Sequence, residues 1–397
     1  MNLKTISINR MIMSYLLAVY CMLLPFEEVL VFSFGSLLKV FGFVLIAISF
    51  VFMAANRFKL QIEYIWLLVW LIVNAVSVAW SSSFDWWLYF IQIYAGQVLF
   101  VVFVVHLPVR YINLRTVAKG LIIGAAFASS VLMLFPGNSS FTSDGRRTIM
   151  FLGAKMDPNI LGAIFVIAIF CTIYLFRIET GYLYRVVFSV LILLLVAGVF
   201  LTGSRGSVIA LSVSLLLMAA MYLIKQKRKN TIIYLLIGIA AIILALYFFL
   251  PDNLLNNRYS LANILGLNEY DNRMHNRYTI WLSSLKLFIK KPLFGFGCGN
   301  FFTAIETVYR QCASHNLIVL EIVEMGIIGS LPLFVFLYKL TVKAKRYCPI
   351  SLFCMLVAIA IVSLTLDSLP YKYFWLTLMI IGISAKQERE RQRMLDD

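Results

Sequence analysis

The chain is a succession of long apolar runs separated by short polar gaps. A helix needs ~20 apolar residues to cross the ~30 Å hydrocarbon layer of a bilayer. About twelve runs meet or approach that length: 11–31, 36–55, 63–80, 87–106, 119–135, 158–176, 186–201, 207–224, 231–250, 321–338, 349–366 and 374–385. Inside lipid every backbone polar group must be satisfied internally, and runs of this length do so as helices. The expected fold is an all-α membrane protein of about twelve transmembrane helices, forming a single polytopic domain over 1–397. One gap breaks the rhythm: a large external loop, 251–314, separates runs nine and ten. Within it Tyr278, Trp281, Leu282, Leu285, Phe288 and Ile289 recur at helical spacing. Asn276, Arg277, Thr279, Ser283, Lys286 and Lys290 fill the opposite side. This pattern predicts an amphipathic helix lying on the membrane. Pro292, Gly295, Gly297 and Gly299 then predict a tight reversal.

Composition agrees with the runs. Hydrophobic residues make up 62% of the 397, and charged residues 13%, where a soluble chain carries about 25%. The net charge of +16 raises the question of nucleic acid, but the charge placement answers it. Lys4 and Arg10 precede run one, and Arg57 and Lys59 follow run two. Arg110, Arg115 and Lys119 follow run four, Arg177 and Arg185 run six, and Lys225, Lys227, Arg228 and Lys229 run eight. Lys339, Lys343, Lys345 and Arg346 follow run ten, and the charges from Lys386 onward follow the last run. Every even gap is basic, as the positive-inside rule requires. No nucleic-acid partner is expected, membrane lipids are, and both termini are expected in the cytoplasm of a bacterial inner membrane. The opening Met1–Arg10 and its apolar run resemble a signal peptide, but further spans follow without a small-residue cleavage site. The segment therefore reads as the first anchor.

The exceptions to the rule collect on the outward side: Arg146, Arg147, Lys155, Arg205, Arg258, Arg273, Arg277, Lys286, Lys290, Lys291 and Arg310. Charges held against the rule suggest a functional site, and cations suggest an anionic ligand. The six cysteines show no metal-ligand spacing, and no metal site is expected. Cys298 and Cys312 share the large loop, which leaves a disulfide open there.

Three constellations carry candidate chemistry. In Thr202–Ser207 (TGSRGS), Ser204 or Ser207 can cap a new helix and Arg205 adds charge to its positive end, which makes an anion site. The plainer reading is an interfacial arginine on lipid phosphate. Arg273 and Arg277 lie one turn apart and can present two guanidinium groups to one diphosphate. The plainer reading is surface anchoring. His315 starts an outward helix, with Ser314 as its expected cap and Asn316 beside it. A neutral imidazole there is a general base for a sugar hydroxyl, or simply a structural histidine. Glu324, one turn beyond Glu321, either orients that site or pairs with an arginine. Asp157 and Pro158 read as N-cap and first helical residue, and Asn159 as a donor to a ligand. Together, three outward helix N-termini under a basic loop suggest a diphosphate pocket.

The ordered set DPNxLG at 157–162, TGSRG at 202–206, RxxxW at 277–281, PLFGxG at 292–297, SHN at 314–316 and EMGxxG at 324–329 resembles the O-antigen ligase and polymerase superfamily. The resemblance covers roughly 150–340, and the first 150 residues match only in hydropathy. It implies transfer of a glycan from undecaprenyl diphosphate to an acceptor hydroxyl by a metal-independent, inverting glycosyltransferase facing the periplasm or exterior. No cofactor is implied. By this resemblance Arg205 and Arg277 hold the diphosphate and His315 is catalytic, while Arg273 has no secure counterpart. Polyprenyl diphosphate is already a good leaving group, so arginines that neutralise its charge and one base suffice.

The acceptor is either a second lipid-linked glycan, as for an O-antigen or capsule polymerase, or lipid A–core, as for a ligase. General resemblance leans to the polymerase. Envelope-polysaccharide assembly proteins are conceivable partners. A transporter or flippase of lipid-linked glycans would place charge or broken helices near mid-membrane, whereas here charge gathers at the outer edge. A non-catalytic envelope protein would not need Arg205, Arg277 and His315 together.

Overall fold

A computed structural model of the chain describes residues 3–32, 35–56, 58–135, 146–151, 153–226 and 272–396. Thirteen α-helices are formed by these residues: α1 (Leu3–Leu23), α2 (Leu37–Ala54), α3 (Ile62–Val76), α4 (Phe84–His106), α5 (Leu114–Leu134), α6 (Pro158–Ile178), α7 (Tyr182–Leu201), α8 (Arg205–Gln226), α9 (Asn272–Lys290), α10 (Phe301–Glu306), α11 (Leu317–Tyr347), α12 (Ile350–Ser363) and α13 (Lys372–Asp396). Two short antiparallel hairpins, Val31–Phe32 with Gly35–Ser36 and Met150–Phe151 with Ala154–Lys155, lie in the connections.

Eight of the helices, α2 to α8 and α11, are long and apolar enough to cross a membrane. Shorter apolar helices cover Ile12–Phe26 and Ile350–Ser363. Run 231–250 and loop residues 251–271 lie outside the described residues. All six cysteines, Cys298 and Cys312 included, are free thiols.

Helix α6 is the hub. Residues 160–172 are buried without a break, which only a helix surrounded by others allows. It packs against α5, α7, α8 and α12, while α3 and α13 flank α11. Large apolar side chains on the outer helices, such as Phe127, Leu193 and Leu216, are exposed, as lipid-facing positions would be.

Helix α11 is interrupted. Gly326 has φ 63° and ψ −170°, a break in an otherwise helical 31-residue segment. A break in an apolar helix strands backbone groups, and inside a membrane protein only other protein groups can satisfy them. The reversal after α9 supplies those partners. The N–H groups of Ile327 and Ile328 donate to the carbonyls of Pro292 and Leu293 at 2.9 and 3.0 Å. The N–H groups of Phe296 and Gly297 donate to the carbonyls of Val323 and Glu324 at 3.1 and 2.7 Å. A Cβ on Gly326 would lie 2.4 Å from the Leu293 carbonyl carbon, and one on Gly295 would lie 2.4 Å from the Glu324 oxygen. The PLFGxG and EMGxxG motifs are thus two halves of one backbone crossing.

Helix α9 has three faces rather than two. Ile280, Ser283, Ser284 and Leu287 are buried, and α9 packs on α11. The apolar stripe Tyr278, Leu282, Leu285 and Ile289 stays exposed, as a membrane-facing surface would.

A candidate active site where three helix N-termini meet

The first turn of α11 builds the centre of the site. Asn316, rather than Ser314, is the N-cap: its side-chain oxygen accepts from the N–H groups of Ile318 and Val319 at 2.9 and 3.2 Å. Its amide nitrogen donates to the Leu364 carbonyl at 3.2 Å, tying α11 to the end of α12. Ser314 is buried, and its hydroxyl donates to the Asp367 carboxylate. The same carboxylate oxygen accepts the Asn316 N–H at 3.0 Å. The Trp281 indole of α9 donates to the Ser314 carbonyl at 3.1 Å. His315 is therefore clamped on both sides. Its φ is 52°, the one positive φ of a non-glycine residue among the described residues. Such strain persists only where neighbours over-determine it, and it concentrates at functional sites.

The other two N-termini abut this turn. Asp157 caps α6 by accepting the Asn159 N–H at 2.6 Å, with Pro158 in the first helical turn, as their sequence positions predict. Ser204 caps α8: its Oγ accepts the Ser207 N–H at 3.4 Å. Gly162 of α6 leaves room for that loop, since a Cβ there would lie 2.7 Å from Ser207 Oγ. Gly206 does the same toward α12, where a Cβ would lie 2.4 Å from Thr365 Oγ1. These approaches bring Arg205, the first residue of α8, beside the α12–α13 connection that carries Asp367.

Arg146 braces the same ends. Its Nε donates to the Thr202 carbonyl at 3.0 Å, and its Nη2 donates to Asn159 Oδ1 at 2.7 Å. Asn159, expected to face a ligand, thus gives its oxygen to Arg146. Arg277, in α9, is half-buried and close enough to His315 to act on its titration. Arg273 belongs to the same helix one turn earlier, but its side chain lies outside the described residues.

His315 titrates below its ordinary value. Burial is the main cause, and the Arg277 charge adds to it. Asp367 and, more weakly, Asp157 pull the other way. A guanidinium and two carboxylates thus act on the imidazole in opposite directions, and with burial the balance favours its neutral form. The lowered direction matches what the basic sequence context implies, although desolvation rather than the arginine dominates.

Several acids gather near the α6 N-terminus. Glu28 accepts the Asp157 N–H at 2.5 Å, and burial pushes its pKa up to about 7. Burial and then the charges of Asp157, Glu28 and Asp367 raise the Tyr371 phenol, so Tyr371 remains a neutral hydroxyl among three acids. Glu28, Asp367 and Tyr371 were not singled out by sequence. For Asp367 a signal was present: it is the lone acid between Glu324 and Glu388, in a gap the charge alternation places outward.

Glu324 sits deeper. It is buried, and its oxygens accept the N–H groups of Gly299 and Phe301 at 3.0 and 3.1 Å. Glu321 accepts the Trp70 indole at 2.6 Å. Both carboxylates bond to the protein frame rather than to an arginine. His106 uses both ring nitrogens, one accepting the Gln61 N–H at 3.0 Å and the other lying 2.6 Å from the Val102 carbonyl. Among the described residues no group of three or more His, Cys, Asp and Glu is placed to hold a metal ion.

No curated protein matches the chain. Residues 190–334 match the family described as O-antigen ligase, a stretch that runs from the middle of α7 to the middle of α11 and includes Arg205, Arg277 and His315. The protein is thus a multi-pass membrane protein whose residues 190–334 are similar to the O-antigen ligase family.

Proposed function

We propose that this protein is a metal-independent, inverting glycosyltransferase that moves a glycan from undecaprenyl diphosphate to an acceptor hydroxyl. The reading rests above all on His315, a residue of positive φ whose turn is held by Asp367 and whose imidazole feels the opposing charges of Arg277 and Asp367. In the reaction His315 takes the proton of the acceptor hydroxyl as the oxygen attacks the anomeric carbon. The new C–O bond forms as the bond to the diphosphate oxygen breaks. The bonding pair leaves with the diphosphate, and Arg277 and Arg205 neutralise its charge. Attack opposite the leaving group inverts the anomeric centre. The proton on His315 then passes to water.

Helix direction supports an outward-facing site. Arg205 begins α8, Asp157 caps α6 and His315 precedes α11, while the basic residues Arg177, Lys345 and Arg346 close the far ends of α6 and α11. At 1.5 Å per residue α11 separates the site from its basic end by roughly 45 Å, more than the thickness of a hydrocarbon core. The positive-inside rule puts that basic end in the cytoplasm of the inner membrane and the site in the periplasm or exterior.

The polymerase reading, with a lipid-linked glycan as acceptor, is kept beside a ligase reading, with lipid A–core as acceptor, because the family match is compatible with both. One assay tests both. Purified protein is given lipid-linked glycan with EDTA, and either more lipid-linked glycan or lipid A–core as acceptor. Product on the first acceptor supports the polymerase, and product on the second the ligase. Activity that vanishes in EDTA and returns with Mg²⁺ or Mn²⁺ contradicts the arginine-clamp mechanism.

A further inference from the structure

A cavity of about 420 Å³ opens between α1, α2, α4 and the α12–α13 connection. That volume falls within the range of small-ligand sites, about 300–1,000 Å³. Its lining includes Ala313, two residues before His315, and Asp367, the acid that clamps the His315 turn. Its walls are of two kinds. Glu28, Asp367, Tyr371 and Gln92 are among its polar lining residues, and Tyr89, Phe90 and Phe302 among its aromatic ones. Leu38, Phe43, Ile46 and Phe100 add apolar surface.

Charge decides what this cavity accepts. Among the described residues no arginine lines it. Of its two cations, Lys372 is bonded to Glu27 and Lys39 lies exposed. A diphosphate in this cavity would meet the carboxylate of Asp367, and that of Glu28 in its ionised fraction, a like-charge contact that disfavours binding. An uncharged sugar meets the same groups favourably. Its hydroxyls donate to carboxylate and amide oxygens, and its C–H faces lie on aromatic rings. Arg277, by contrast, acts on His315 from α9, and neither it nor Arg205 is among the residues lining this cavity.

We propose that this cavity is the acceptor subsite, which takes the terminal sugar of the acceptor glycan and delivers its hydroxyl to the Asp367–His315 end while the donor diphosphate is held on the arginine side. The assignment rests on the transferase reading above and deepens it. It divides the two substrates by charge.

Two glycines in the cavity wall provide the test. A Cβ on Gly96 of α4 meets nothing within 4 Å, and one on Gly42 of α2 meets only the Tyr20 ring, at 3.6 Å and beyond. Larger side chains there fill the cavity without displacing backbone, and they favour the helix over glycine. Gly96→Trp and Gly42→Leu are compared with wild type and with Leu193→Trp, a bulky control at an exposed α7 position. Donor and acceptor are varied separately in reconstituted vesicles. Both cavity variants should raise the acceptor KM by roughly tenfold or more and leave the donor KM within about twofold, with melting temperatures like the control. A raised donor KM with an unchanged acceptor KM would assign the cavity to the lipid donor and overturn the proposal, as would unchanged values for both. Failure of the wild type to transfer to any acceptor would strike the transferase reading itself.

Discussion

The Asp367 carboxylate accepts the backbone N–H of Asn316 at 3.0 Å across 51 residues of sequence, and with Ser314 it fixes the turn that presents His315. Asp367 thus does two things to His315: it shapes the backbone, and it stabilises the imidazolium electrostatically. Arg277 opposes the second effect.

Opposite shifts follow. Asp367→Asn removes a negative charge and should lower the His315 pKa further. Arg277→Gln removes a positive charge and should raise it. With only three histidines in the chain, histidine-selective NMR can follow the titration directly. The activity limb on the acid side, where the base becomes protonated, should move with it: to lower pH in Asp367→Asn and to higher pH in whatever activity Arg277→Gln retains. Shifts in the same direction for both variants would break the proposed geometry. Asp367→Asn should also lose activity by on the order of 10²-fold, because a weaker base removes less of the proton at the transition state.

The arginine clamp predicts a ranking. Arg205→Ala and Arg277→Ala should abolish transfer in protein that still inserts and folds. Lysine should rescue either position poorly, since a point charge does not reproduce the two-pronged guanidinium contact. Arg273→Ala should do less harm than Arg277→Ala. Equal losses at 273 and 277 would show that both arginines hold the donor.

The crossing between the loop after α9 and the break in α11 predicts a stability defect distinct from any chemical one. Gly326→Ala forces a Cβ into a positive-φ position and onto the Leu293 backbone. Backbone strain alone should cost on the order of 1–3 kcal/mol, and the contact adds to it. A lowered melting temperature in detergent checks this. A Gly326→Ala protein as stable as wild type would mean that α11 runs unbroken.

Much of this was legible in the chain. Run lengths identify the eight helices long and apolar enough to span, α2 to α8 and α11, because a bilayer fixes how many apolar residues a helix needs. Pro292 and the following glycines announce a reversal because their φ preferences leave few alternatives, and Gly295, Gly297 and Gly299 all have positive φ. The Gly326 break was hidden: one glycine in an apolar run reads as helix, and the loop that satisfies the broken backbone lies some thirty residues away. The cap of α11 was misplaced by two residues because Ser314 and Asn316 are both good caps, and only the contact with Asp367 assigns Ser314 another task. Asp367 and Glu28 went unremarked because a lone acid in a short gap acquires its role only from partners distant in sequence.

Glu324 is the sequence candidate most in need of separation from His315. Its carboxylate is committed to two buried N–H groups. Glu324→Gln presents an amide N–H₂ where an acceptor is needed and should destabilise by about 1–3 kcal/mol. The pH profile of the surviving activity should keep its shape. A lost or shifted acid limb would make Glu324, not His315, the titrating base.

The central claim is that His315 is the base and the arginines hold the donor, and one paired measurement addresses it. Wild type and His315→Ala are compared for transfer in vitro and for binding of undecaprenyl-diphosphate-linked glycan, with His275→Ala as the control. The account predicts that His315→Ala loses transfer by roughly 10²–10⁴-fold, loses the acid limb from any residual rate, and binds the donor as wild type does, while His275→Ala stays active. Donor binding lost together with turnover in His315→Ala, or transfer retained with its acid limb intact, would contradict it.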